Sequence, residues 1–225
     1  MAGAKNLQNA GLQNAGRNQT QEAQLRVAGV DEVGRGCLFG PVVAAAVILS
    51  PLAAQHLQAA GVRDSKQLRS RIREKLAQDI RTQAQGVAIG YASVQEIDRL
   101  NILQASLLAM RRAIGRLSPP PDLCLVDGNQ VIPHLELPQR TVIKGDQTEI
   151  AIAAASIVAK VWRDTLIVRL ATRYPGYDLA ANKGYGSQRH RDALARLGTT
   201  PQHRRSFRSC QLVLPLEHSI TDTTL

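Results

Sequence analysis

An α/β layer fold on a mixed sheet is the class this sequence predicts, and three observations predict it. Apolar runs of strand length come early in the chain, long segments with helical periodicity come later, and glycine or proline marks the breaks between them. The 225 residues suit one domain with at most a small appendage, long enough to bury a core without disulfide staples. Hydrophobic residues make up 44% and charged residues 20%, the balance of a soluble globular chain.

Residues 1–24 are rich in Gln, Asn, Ala and Gly and repeat LQNAG in tandem, a polar stretch that cannot bury enough surface to offset its ordering entropy. They are expected to be a disordered lead-in, with the folded domain over 25–215 and a tail over 216–225. The first strand is expected over Leu25–Asp31, breaking at the turn Gly34-Arg35-Gly36. A second follows over Pro41–Leu49, with β-branched residues near both ends. The spacing predicts a basic helix over Lys66–Gln83, capped by Asp64 or Ser65, then a short strand over Val87–Ala92. One helix from Ser93 or Val94 carries Ile97, Leu100, Leu107 and Ile114 to the breaker Pro119-Pro120-Pro121. Strands are expected over Leu123–Val126 and Arg140–Lys144, each running into glycine and aspartate. A helix over about Glu149–Tyr174 and shorter helical and loop segments complete the chain.

The acids at the ends of these strands are the candidate site. Asp31-Glu32 lies where the first strand breaks, Asp127 ends Leu-Cys-Leu-Val, and Asp146 follows Thr-Val-Ile-Lys. An apolar run that stops at an acid and a glycine delivers a polar group from a rigid core to a cleft. Asp164 is a fifth candidate. On the helical wheel it lies beside the stripe of Ile150, Ala154, Ile157, Val161 and Val168, with Ser156 and Arg163 expected to point the other way. A carboxylate there needs a partner, and the plain alternative to a metal is a salt bridge to Lys160 one turn back.

Two carboxylates about 4 Å apart repel by roughly 4 kcal/mol at an effective dielectric near 20, so three or four converge only around a cation. Oxygen-only ligands select Mg²⁺ or Mn²⁺ over zinc. Side chains of neighbouring residues on a regular strand point to opposite faces, so Asp31 and Glu32 are expected to share a site only if the strand distorts.

The formal charge of +10 suits a polyanionic partner, and only 3% aromatic residues favour sugar–phosphate contact over extensive base stacking. Three features could supply that contact: the Gly34-Arg35-Gly36 backbone, the loop Asn182-Lys183-Gly184-Tyr185-Gly186-Ser187, and a basic patch at His203-Arg204-Arg205-Ser206-Phe207. No G-x-x-x-x-G-K-[ST] or H-E-x-x-H element is present, which removes P-loop and zincin chemistry. Cys37, Cys124 and Cys210 are odd in number and form no C-x-x-C pair, so reduced thiols and a cytoplasmic address are expected. No apolar run approaches the ~18 residues of a membrane span. A basic nucleic-acid-binding protein without catalysis is the rival reading.

Val30-Asp31-Glu32-Val33-Gly34-Arg35-Gly36, followed by Gly40-Pro41-Val42-Val43, resembles the signature of bacterial ribonuclease HII, a type 2 ribonuclease H. Further blocks resemble the same family in the same order: Asp64-Ser65-Lys66-Gln67-Leu68, Asn101-Ile102-Leu103, Val126-Asp127-Gly128-Asn129 and Lys144-Gly145-Asp146. So do Ala153 through Val161 with Arg163-Asp164, then Lys183-Gly184-Tyr185 and His203-Arg204-Arg205-Ser206-Phe207, the whole covering about residues 25–210. The resemblance implies a ribonuclease H-like mixed five-stranded sheet flanked by helices, with additional C-terminal helices. It implies Mn²⁺- or Mg²⁺-dependent hydrolysis of RNA in RNA/DNA hybrids, leaving 5′-phosphate and 3′-hydroxyl ends, with a two-ion site when substrate is bound. It also implies incision 5′ of single ribonucleotides in duplex DNA, the setting of ribonucleotide excision repair, by a monomer. By the same resemblance Asp31, Glu32 and Asp127 hold metal, with Asp146 as the first choice and Asp164 the alternative for the fourth carboxylate. Gly34, Arg35 and Gly36 would contact the ribose 2′-hydroxyl, Tyr185 would stack on the sugar at the RNA–DNA junction, and Lys66 would contact phosphate.

Overall fold

The computed structural model describes residues 25–63, 65 and 68–211, so the expected lead-in, the tail and Lys66 lie outside the described residues. Strands β1 (Val27–Val33), β2 (Val42–Ile48) and β3 (Gly86–Ala92) pair antiparallel in succession. Strands β4 (Leu123–Asp127) and β5 (Gln139–Val142) add in parallel on the far side of β1, giving the sheet order β3-β2-β1-β4-β5. This is the mixed five-stranded sheet the sequence predicts.

Helices cover both faces. They are α1 (Pro51–Ala59), α2 (Ser70–Gln83), α3 (Val94–Leu100), α4 (Ile102–Ile114), the short α5 (Gly145–Thr148) and α6 (Ile150–Arg173). Strand alternation assigns the layers. Val30, Val42, Ala44, Ala46 and Ile48 pack with Ile97, Leu107, Met110 and Ile114 on one face. Ala45 and Val47 pack with Leu76, Ile80, Ala155 and Ile157 on the other. β2 is therefore buried at every position. Two glycines bring helix backbone onto the sheet. A Cβ at Gly29 would sit 2.1 Å from the Ala151 carbonyl carbon on α6, and one at Gly90 would sit 2.1 Å from the Ala109 oxygen on α4.

Past α6, the helices α7 (Leu179–Asn182), α8 (Gln188–Leu197) and α9 (Arg208–Gln211) enclose a third cluster with Leu38, Phe39, Ile167, Tyr177, Leu194 and Cys210. These are the additional C-terminal helices of the expected architecture. All three cysteines are buried free thiols. Among the described residues no helix is long and apolar enough to cross a membrane.

Several expectations are corrected. The basic helix starts at Ser70, with Arg69 as an N-cap that makes no side-chain bond; of the two expected caps, Ser65 shares its hydroxyl with Ser156 of α6 and Asp64 lies outside the described residues. The helix expected from Ser93 is two, parted at Asn101, whose φ of 70° breaks the first and whose Oδ1 caps the second by accepting from Gln104 N at 3.1 Å. The Ser93 start does form, as a capping box with Glu96. β5 stops at Val142 because Lys144 turns left-handed at φ 55°, so Asp146 rides on α5 rather than on a strand tip. Helix α1, absent from the expectation, is capped by Ser50, whose side chain accepts from Ala53 N.

The wheel reading of α6 also fails in part. Ser156 and Arg163 are buried while Val168 is exposed. The helix packs on β1 and β2, on α2 and on the C-terminal segment, so most of its circumference is interior.

Candidate active site

β1 and β4 run parallel with Val30 opposite Val126, so the next residues, Asp31 and Asp127, emerge side by side on the face covered by α6. β1 stays regular to its end, with Glu32 opposite Ala44 and Val33 opposite Val43. The distortion expected for Asp31 and Glu32 to share a site is not present, so the two side chains leave opposite faces of the strand. At a strand tip the longer Glu32 side chain stays within the field of Asp127. Asp31 is 5% exposed, and its Oδ1 accepts from Glu32 N at 2.7 Å. Burial raises its pKa well above the usual carboxylate range, with the charges of Glu32 and Asp127 adding to the rise and a hydrogen bond from Ser156 opposing it. Glu32 is raised by burial as well, and its Oε1 is met by Arg35 Nη1 at 3.3 Å.

Asp127 Oδ1 accepts from Gly145 N at 2.7 Å, which seats the turn into α5 against β4 and carries buried Asp146 along beside it. Asp164 on α6 is ion-paired with Lys160 at 3.0 Å, the plain alternative raised by the sequence. Among the described residues no three His, Cys, Asp or Glu side chains already enclose an ion-sized space. The chemistry of the set nevertheless fits a hard cation. Its donors are all oxygens, and burial with repulsion from Glu32 and Asp127 makes the charged form of Asp31 unfavourable, while Glu32 stays raised even with Arg35 beside it.

Next to this group the chain makes a tight turn in which Cys37 N donates to Gly34 O at 3.3 Å. Gly34 has φ +91°, and a Cβ there would meet Arg163 Nε at 2.3 Å. Arg163 donates to the carbonyls of Pro41 (3.1 Å), Lys183 (2.8 Å) and Phe39 (2.9 Å). It thereby ties the stretch after this turn, Phe39–Pro41, to the loop that carries Tyr185. That loop is further fixed by a bridge between Cys37 and Tyr185 and by Leu38 N donating to Gly184 O at 2.8 Å. The Tyr185 ring is half-exposed, with Lys160 Nζ 5.1 Å from its centroid. Burial pushes its hydroxyl up to about 12.

Behind the loop, His203 Nδ1 accepts from Thr200 N at 2.9 Å, His203 and His190 meet through their Nε2 atoms at 3.1 Å, and His190 Nδ1 lies 2.8 Å from Tyr185 O. The basic patch expected at residues 203–207 is corrected here. His203 and Arg204 are fully buried and only Arg205 and Ser206 face solvent, their backbone amides held by Asp98. Ser156, Arg163 and Arg204 are site-supporting residues that sequence reasoning misses. Their signal, a polar residue on a helix or loop, is the same one a surface residue gives.

A family model described as ribonuclease HII matches residues 28–210. A ribonuclease HII of Acaryochloris marina is 66% identical over 193 residues, covering 86% of this chain and 98% of the relative. One of Nostoc sp. is 60% identical over 186 residues, covering 83% of each. Among solved structures, ribonuclease H2 of Pyrococcus horikoshii superposes with a TM-score of 0.71 at 28% identity, over 84% of this chain and 97% of that one. A ribonuclease HII of Archaeoglobus fulgidus, solved in complex with PCNA, gives 0.70 at 30% identity, over 82% and 96%. The fold alone is shared with a Bst ribonuclease HIII solved with Mn²⁺, with a TM-score of 0.68 at 21% identity over 86% and 70%. With the order of strands, the adjoining carboxylates and a family match across nearly all the described residues, the chain belongs to the ribonuclease HII family of metal-dependent hydrolases.

Proposed function

We propose that this chain is an endoribonuclease that hydrolyses the RNA strand of RNA/DNA hybrids and incises 5′ of single ribonucleotides in duplex DNA, acting as a cytoplasmic monomer. The observation that carries the reading is the juxtaposition of Asp31 and Glu32 with Asp127, at the ends of adjacent parallel strands, where burial and mutual charge raise the first two. Asp31, Glu32, Asp127 and Asp146 would hold Mn²⁺ or Mg²⁺, with Asp164 the alternative fourth ligand if it leaves Lys160. A bound pair of such ions supplies a water acidic enough to attack phosphorus and charge to stabilise the departing 3′-oxygen.

The chain's own residues prepare that chemistry. Ser156 and the Glu32 amide orient the Asp31 carboxylate, and the Gly145 amide orients Asp127. The Gly34–Gly36 backbone reads the ribose 2′-hydroxyl, the group that separates RNA from DNA. Tyr185, held half-exposed beside that turn, stacks on the sugar at the RNA–DNA junction. Lys66, outside the described residues, contacts phosphate.

The test is a labelled hybrid incubated with Mn²⁺, with Mg²⁺ and with chelator. Cleavage is expected with either ion and lost with chelator. Asp127→Asn should cut the rate by about a thousandfold or more while hybrid affinity stays within about twofold. A hybrid left intact under every condition would instead make the chain a non-catalytic binder.

A further inference from the structure

Arg204 is fully buried, yet no salt bridge to it is found among the described residues. An interior guanidinium is costly to keep unless its donors have partners. Its partners are backbone. Nε donates to Gly40 O at 3.0 Å and Nη1 to Arg35 O at 2.9 Å, while Nη2 is the buried side-chain nitrogen without a partner among the described residues. One planar fork thus spans the two ends of the segment Arg35–Gly40 with donors in a fixed geometry that the freely rotating ammonium of a lysine lacks.

The consequence falls on one peptide group. Gly34 to Cys37 is a tight turn closed by Cys37 N on Gly34 O, and its central peptide is Arg35–Gly36. In such turns the central peptide can flip when glycine occupies the third position, because glycine accepts the φ near +80° that the flipped form requires. Gly36 is that glycine, and it does not take a positive φ. In a trans peptide the carbonyl and the following N–H point in opposite directions. With Arg35 O drawn inward onto Arg204, the Gly36 N–H is aimed outward, where Gly36 is exposed. Among the described residues a Cβ on Gly36 would meet nothing within 4 Å, whereas a Cβ on Gly34 would strike Arg163.

We infer that Arg204 is a positioning residue for ribose recognition: it holds the Arg35–Gly36 peptide in the orientation that offers the Gly36 N–H to the 2′-oxygen of the substrate. This rests on the proposed reading that the Gly34–Gly36 backbone senses that hydroxyl. Without Arg204 the peptide flips between two states, and the preference for a ribonucleotide over a deoxyribonucleotide is lost.

The test compares wild type, Arg204→Lys and Arg204→Met for binding, by fluorescence anisotropy in Ca²⁺, to two duplexes that differ only in one ribonucleotide against its deoxy counterpart. Thermal melting checks the fold. Wild type is expected to prefer the ribonucleotide about tenfold, the size of one net hydrogen bond. Both variants should fall to within about twofold of no preference, with affinity for all-DNA duplex nearly unchanged, whereas a merely destabilised fold would weaken both duplexes alike. A folded variant that keeps the tenfold preference overturns the inference. Should Arg204→Met not fold, Arg204→Lys decides. A measurement on wild type needs no variant: the Gly36 amide resonance should move on adding the ribonucleotide duplex and not the all-DNA duplex, and an amide indifferent to both overturns the inference. If wild type shows no preference between the duplexes, the proposed ribose reading itself fails, a result distinct from loss confined to the variants.

Discussion

Asp31 is a buried carboxylate with two acidic neighbours, and that arrangement is destabilising until a cation arrives. A group whose pKa is raised in the fold contributes stability below its unfolded pKa and loses it as pH rises through the folded one. The metal-free protein is therefore weakened at neutral pH by this site. Asp31→Asn keeps an oxygen to accept from the Glu32 amide while removing the charge. It should abolish cleavage yet raise the melting temperature of the metal-free chain at pH 7 by about 2–4 °C, the shift that about 1 kcal/mol gives in a domain of this size. The gain should vanish near pH 3.5, where the wild-type side chain is already neutral; a gain independent of pH would assign it to packing instead. Gly34 and Gly36 separate along the same lines. Gly34→Ala meets both a φ of +91° and the pinned Arg163 side chain, so it should lose about 2–4 kcal/mol by chemical denaturation. Gly36→Ala meets none of the described residues and should stay within about 0.5 kcal/mol of the parent, yet it should lose the ribonucleotide preference in the two-duplex binding assay.

Helices α4 and α6 press on the sheet closely enough that strand glycines touch their backbones, and this contact sets how the strand ends are presented. A Cβ on Gly90 would lie 2.1 Å from Ala109 O and 2.4 Å from Ala113 N, backbone atoms that cannot give way without moving α4. Gly90→Ala should therefore cost about 3 kcal/mol in chemical denaturation, although β3 carries none of the proposed ligands. A stability within about 0.5 kcal/mol of wild type would mean that α4 is free to shift. The split between α3 and α4 is hidden from periodicity because Leu100, Leu107 and Ile114 keep one helical phase across it. The left-handed Asn101 is a cap within that run, and hydrophobic spacing carries no record of a cap.

Across the molecule, the buried histidine pair joins α8 to the segment before α9 and supports the carbonyl of Tyr185. Thr200 N–H can only donate, so His203 carries its proton on Nε2, His190 must accept it, and the proton of His190 lies on Nδ1 toward Tyr185 O. A third proton has no place. Burial accordingly depresses His203 to about 3. Between that value and the ordinary 6.5 the unfolded chain binds the extra proton, so stability rises with pH across the window and falls on acidification, by roughly 1.4 kcal/mol per pH unit for one proton. Nitrogen NMR should find His203 neutral with Nε2 protonated at pH 5, where a solvent-exposed histidine is charged. A doubly protonated ring at that pH would contradict the locked pair.

The chain order of the strands and the strand-end positions of Asp31, Glu32 and Asp127 are legible in the amino-acid sequence alone, because each is written locally. Each acid follows an apolar run of strand length and precedes a glycine turn, a pattern that depends on no distant residue. What supports those acids is not legible there. Ser156, Arg163 and Arg204 read as surface polar residues, and they are interior because their partners lie far away in sequence: Ser65, the carbonyls of Phe39, Pro41 and Lys183, and those of Arg35 and Gly40. Composition and period describe how one segment meets water. They cannot say which distant carbonyl replaces that water, and here the choice is made only when α6 and the C-terminal segment close over the chain beyond β1, Arg163 taking the carbonyls of Phe39, Pro41 and Lys183 and Arg204 those of Arg35 and Gly40.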